Sequence, residues 1–197
     1  MILQALYQLY GRLLDEPDSD ISPPGYSKTG VSYALNLSKT GELLDVLDLR
    51  EQSKGKSKRL VTRDMDVPRQ VKRTSGVSAN FMCDNSGYVL GVVQKKGKPV
   101  ELADKKFDDM RALHERILGN ADDPGARAIL GFFSTWDPKH AEGHSVLAPV
   151  WDELMRGGNL IFKLDGTQGF MHQRPAIHKA WECDIDETSK SIGHCLV

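Results

Sequence analysis

Apolar residues recur every three or four positions between Met1 and Glu16, at Ile2, Leu3, Leu6, Leu9, Tyr10, Leu13 and Leu14. That spacing puts them on one face and predicts a helix, ended by Pro17 and expected to pack into the core. From Val31 to Leu37 the period falls to two, which predicts a half-buried strand. Ser38-Lys39-Thr40-Gly41 is turn chemistry, and the leucine-rich run from Leu43 to Leu49 completes a hairpin. Residues 51 to 67 lose all apolar periodicity and read as a long exposed loop. Val71 to Val77 and Asn80 to Cys83 read as short extended pieces, and Tyr88 to Val93 as a buried strand closed by the turn Lys95 to Pro99.

Beyond Pro99 the helical period returns, with Leu102, Phe107, Met110, Leu113 and Ile117 on one face. Asp123-Pro124 and Asp137-Pro138 each pair a capping carboxylate with proline at the first helical position. Val146 to Met155 is a short helical stretch, residues 160 to 164 a strand, and Pro175 to Glu182 a short helix. The pattern predicts an α+β fold, with a mostly antiparallel sheet in the N-terminal half and helices predominating from about residue 100. Residues 1 to 197 read as one domain, mainly β up to residue 100 and mainly helical after it. The chain turns apolar where it stops, from Ile192 to Val197, which reads as a cut from a longer protein.

Composition changes the picture in one respect. At 197 residues and 40% hydrophobic, the chain can bury a core without disulfides or a structural metal, and no apolar stretch approaches the length that spans a bilayer. Three cysteines without C-x-x-C spacing, and no signal peptide at the N-terminus, point to a cytoplasmic protein. The net charge of −1 hides an asymmetry, because residues 54 to 73 hold eight cations against Asp64 and Asp66. A positive segment therefore sits on an acidic remainder.

Most enzyme signatures fail on spacing. His140 and His144 are four apart, but Glu142 is one place late for a zinc-protease motif and Gly143 breaks the helix. Gly91 to Pro99 has five residues between its glycines and proline where a P-loop needs Ser or Thr. No nucleophile elbow, dinucleotide fingerprint or complete thiolate set is present, so the expectation is no catalytic residue, no metal and no cofactor. What survives is Lys72-Arg73-Thr74-Ser75-Gly76, followed by Asn80. Guanidinium, hydroxyl and bare backbone donors together suit a phosphate or a groove edge, and an Asn amide can both donate and accept on a base. A solvated charge run ending in an ordinary turn has the same composition.

At these residues the sequence resembles the large subunit of the type I-C CRISPR surveillance complex, Cascade. The resemblance rests on Met1 to Tyr7, Leu35 to Glu51 ending in Asp48-Leu49-Arg50-Glu51, Lys72 to Val77 with Asn80-Phe81, Asp84-Asn85 before Tyr88 to Gly91, Ala103 to Lys106, Gly158 to Phe162, and Cys195-Leu196-Val197. Cys83 departs from it, since relatives carry a large aromatic there. The resemblance implies the N-terminal domain of a non-catalytic subunit that recognises the protospacer-adjacent motif (PAM) of duplex DNA and starts strand separation. It also implies partners: the crRNA 5′-handle region, the neighbouring backbone subunit that holds the handle, and a helicase-nuclease recruited by the full complex. On this reading Lys72, Arg73, Thr74, Ser75, Gly76 and Asn80 read the motif. Lys54, Lys56, Lys58, Arg59 and Arg63, with Lys105 and Lys106 behind them, hold phosphates. Two rival readings remain: an RNase-like enzyme served by His114, His140, His144 and His172, and an adaptor whose basic loop docks an acidic protein.

Overall fold

The computed structural model describes residues 2–16, 20–53 and 58–194. Pro17, Lys54, Lys56 and Cys195 lie outside the described residues. Helix α1 (Ile2–Asp15) forms where the spacing predicts it. It does not enter the core, because Ile2, Leu3, Leu6, Tyr7 and Leu9 are all exposed. Periodicity reports which face of a helix is apolar and says nothing of what covers it.

Strand β1 (Tyr26–Leu37) is the axis of the main sheet. Its second half pairs antiparallel with β2 (Leu43–Asp48), giving the predicted hairpin. The stretch expected to be a loop carries β3 (Glu51–Gln52), β4 (Leu60–Val61) and β5 (Arg63–Pro68). Strand β5 pairs antiparallel with the first half of β1, from Tyr26 opposite Pro68 to Val31 opposite Arg63. As an edge strand it sends Arg63 and Asp64 to solvent and buries only Val67 and Pro68, which is why apolar periodicity misses it.

After β6 (Asp84–Asn85), the expected strand from Tyr88 is instead the helical turn α2 (Ser86–Val89). The Asn85 side chain accepts the Gly87 amide at 3.1 Å and starts that turn. A short apolar run fits either state by pattern. Strands β7 (Val92–Gln94) and β8 (Val100–Leu102) make a separate two-stranded hairpin. Helices α3 (Asp104–Leu118), α4 (Pro124–Thr135) and α5 (Trp151–Met155) follow, with β9 (Asn159–Leu164) next and α6 (Pro175–His194) last. Helix α6 runs well past the predicted end at Glu182. The Asp123 carboxylate caps α4 as expected, accepting the Gly125 and Ala126 amides at 2.7 and 3.1 Å.

The fold is α+β, and its sheet is mixed rather than wholly antiparallel, because β9 inserts parallel to β1 on the edge opposite β2 and β5. With β9 on one edge and β2 on the other, β1 becomes interior. Val31, Ser32, Tyr33, Ala34 and Leu35 are consecutively buried, so the strand is covered on both faces instead of one. On one face Leu35 and Phe162 meet Phe132 and Phe133 of α4 and Phe107 of α3, and on the other Val31, Ala34, Val67, Cys83 and Ile161 form a smaller cluster. No described helix is long and apolar enough to cross a membrane.

Candidate nucleic-acid interface

The chain leaves β5 at Pro68 and reaches β6 at Asp84 through fifteen residues without regular structure. Such a segment needs its backbone groups satisfied by side chains, and the sequence supplies them at the neck. The Arg69 amide donates to the Gly25 carbonyl at 2.9 Å. The Val71 amide donates to Asn80 Oδ1 at 2.7 Å, and the Asn80 amide donates to Asp84 Oδ2 at 2.9 Å. The Ala79 amide reaches Asp109 Oδ2 of α3 at 2.6 Å, and the Ser78 amide reaches the Tyr88 hydroxyl at 3.2 Å. Arg73 closes the circle: its guanidinium donates to the Ser78 carbonyl and to both oxygens of Asp84. The same guanidinium lies over the Tyr88 ring, 4.0 Å from the centroid.

Below the neck, Met82 adopts a positive φ of 63°, a left-handed conformation that a methionine holds only when its surroundings impose it. Its amide donates to Nε2 of His114 at 3.2 Å. Because Nε2 accepts, the ring proton is on Nδ1 and is donated to the Met110 carbonyl at 2.8 Å. Complete burial pushes the His114 pKa down to about 4, so the neutral ring that this arrangement needs is the one present near pH 7. Phe81 stacks on Trp181 of α6 with centroids 5.3 Å apart, fixing the exit of the loop against a third element.

The predicted base-reading residues therefore divide in two. Lys72, Thr74, Ser75 and Gly76 are exposed at the tip, where Gly76 has φ +82 and a Cβ built on it meets nothing within 4 Å. Asn80 is only 6% exposed and its carbonyl oxygen is already taken, so its side chain holds the loop and offers no base-edge pairing through that oxygen. Arg73 is half-buried and committed to Asp84, Ser78 and Tyr88. Sequence reasoning gave Asp84, Tyr88, Asp109 and His114 no part in holding this loop, although Asp84 and Tyr88 carry the family resemblance and His114 stands in the rival enzyme reading. Asp84 alone carried a signal, as the one carboxylate in the apolar run from Phe81 to Val93.

The expected phosphate contacts are dispersed. Lys58 and Arg59 are exposed beside the short β3–β4 ladder, and Arg63 Nε lies 3.5 Å from Glu51 Oε1 in an exposed ion pair of little strength. The length of β5, about 17 Å for its six residues, separates that ladder from the loop. Lys106 is closer to the loop, with Nζ 5.6 Å from the Tyr88 ring centroid, and Lys105 beside it is exposed. Of the other residues weighed for chemistry, His140 is exposed with Nδ1 2.9 Å from Asp137 Oδ2, and His144 packs on Trp136. Burial, with Asp84 adjacent, pushes the Cys83 thiol up to about 12, which leaves it inert at neutral pH.

Comparison with curated proteins finds no match. The family model of the CRISPR-associated protein Cas_Csd1 matches residues 6–197, which is nearly the whole chain. A clamped basic loop on an α+β body thus sits in a chain that belongs to the Cas_Csd1 family of CRISPR-associated proteins, and the protein is a subunit of a CRISPR Cascade complex.

Proposed function

We propose that this chain is the non-catalytic, PAM-inspecting part of a type I-C Cascade large subunit, which engages duplex DNA at the motif and starts separation of its strands. The observation that carries the reading is the contrast within one loop, a neck held by Asn80, Asp84, Arg73, Tyr88 and His114 beneath an exposed tip of Lys72, Thr74, Ser75 and Gly76. A rigid neck lowers the entropy cost of presenting donors to a groove. Thr74 and Ser75 hydroxyls can meet either acceptors or donors on base edges, and the space around Gly76 admits a close approach of the DNA backbone. Lys72, with Lys105 and Lys106 behind it, supplies phosphate contacts that fix register without choosing sequence.

Lys58, Arg59 and Arg63 form a second phosphate-binding element farther along the duplex or on the displaced strand. The crRNA 5′-handle region and the subunit that holds it are the neighbours in this arrangement, and a recruited helicase-nuclease does the cutting. Supporting a non-catalytic role, His114 is buried and both its ring nitrogens are occupied, and His172 is buried with its pKa pushed down to about 4 by burial. Neither is presented to a substrate.

The test uses the assembled complex and a matched duplex carrying 2-aminopurine beside the motif. Fluorescence should rise on binding with the correct motif and stay low with a mutated one, and no strand should be cut in Mg²⁺ or Mn²⁺. Cleavage that disappears in the H140A variant, or opening indifferent to the motif, would contradict the proposal.

A further inference from the structure

We infer that the β7–β8 hairpin, tipped by Lys95, Lys96 and Lys98, is a further binding element for the phosphodiester backbone of a nucleic acid, continuing the track that begins at the tip of the 72–77 loop. The inference rests on the nucleic-acid reading above and extends it to a surface that reading leaves unused. Gly97 with φ +73 and the Lys98 amide donating to the Lys95 carbonyl at 2.9 Å are all that the turn requires of its residues. Nothing in the turn asks for lysine. Three like charges within four residues repel one another, and all three are exposed, with no ion pair among the described residues. Exposed and without a carboxylate partner among the described residues, the three ammonium groups are available to an anion.

Placement points to which anion. At its far end the hairpin is closed by the Ala103 amide donating to the Gly91 carbonyl at 2.7 Å, and the chain passes directly into α3 with Lys105 and Lys106. Lys106 sits over the same Tyr88 ring that carries Arg73 of the loop neck. The hairpin is three residue pairs long, so about 10 Å separate its root from its tip, matching the rise of about three phosphates along one strand. Beside the turn, a cleft of about 490 Å³ opens toward α5, with Lys95 and Lys96 on one wall and Asp152, Met155 and Arg156 on the other. Arg156 is paired with Glu153, so the turn lysines carry the positive charge of that cleft against Asp152. Of the remaining acids nearby, Glu101 lies opposite Val93 within the ladder and Asp104 opens α3 at the hairpin root, both away from the tip. A regularly spaced polyanion fits a row of lysines at 10 Å reach better than a folded acidic protein does.

The test compares a K95Q/K96Q/K98Q variant with a T74A/S75A loop variant, each in the assembled complex, on matched duplex DNA, single-stranded DNA and a duplex whose phosphates are partly replaced by methylphosphonate. The hairpin variant should shallow the log affinity against log salt slope by about 0.9 for each lost duplex contact, or about 0.7 on single strands, and leave the preference between motifs unchanged. Methylphosphonate substitution should erase the difference between wild type and variant. A slope change on duplex only identifies a duplex track, and one on single strands as well identifies a displaced-strand track. An unchanged slope in every arm overturns the inference, as does a hairpin variant that fails to assemble with the other subunits while binding DNA normally, the result expected of an acidic protein partner. If the loop variant leaves motif preference intact while the hairpin variant shallows the slope, the PAM reading fails and the hairpin contact stands.

Discussion

Asp84 accepts from the Asn80 and Asn85 amides and from two nitrogens of Arg73, and its side chain is 1% exposed. A buried carboxylate so fully paired stabilises the fold, and each partner removed leaves the others stranded. D84A, which strands the half-buried Arg73 guanidinium and two backbone amides, should lower unfolding free energy by about 3–5 kcal/mol. R73A should cost about 1–3 kcal/mol, partly from the lost contact with Tyr88. Urea unfolding at pH 7 checks both, and changes under about 0.5 kcal/mol would show that the clamp is not stabilising. The same residues show what the sequence leaves unread. The donors and acceptors of Arg73 and Asn80 are visible in it, but whether they are already occupied depends on Asp84 and Ser78 closing the loop, a contact that no local pattern encodes.

At the scale of elements, the legible parts were those whose signal is local. Helices α3 and α4 follow from unbroken periodicity and an Asp-Pro start, and the β1–β2 hairpin from Ser38 to Gly41. Strand β5 was illegible because an edge strand paired only with β1 can be charged on its open side, and α2 because a buried apolar run looks the same as helix or strand. Helix α3 joins both themes through His114. Its folded pKa of about 4 lies below the ordinary value near 6.5, so the folded protein binds fewer protons than the unfolded chain below pH 6.5. The stability that the neutral ring contributes is complete above that pH and is lost as pH falls toward 4. His172 acts in the same direction for the same reason. Each should cost roughly 3 kcal/mol once protonation is complete. In the folded protein the ring itself protonates only near pH 4, and there the Met82 amide loses its acceptor and the loop neck loosens. The urea midpoint should fall steadily from pH 6.5 to 4.5, and H114Q, which keeps an acceptor but does not titrate, should lose part of that slope. A midpoint independent of pH across this range would contradict the assignment.

Across the whole molecule, the sheet places its two predicted basic elements at opposite ends of β5, and Lys106 of α3 lies beside the loop neck over the Tyr88 ring. The sequence showed that positive charge clusters between residues 54 and 73 but not this separation, because the pairing of β5 with β1 that sets it links residues more than 30 apart. Separation makes a division of labour testable, with the loop tip choosing sequence and the ladder supplying affinity. The most direct measurement is the affinity ratio of the assembled complex for matched and PAM-mutant duplexes, taken for wild type, for T74A/S75A and for K58A/R59A/R63A across a salt series. The account predicts that the tip variant loses about 1–3 kcal/mol on the correct motif and little on the wrong one, so that the ratio collapses. It predicts that the ladder variant weakens both duplexes equally, with a slope shallower by about 0.9 per lost contact and the ratio preserved. A tip variant that keeps its preference while the ladder variant loses it would contradict the central claim.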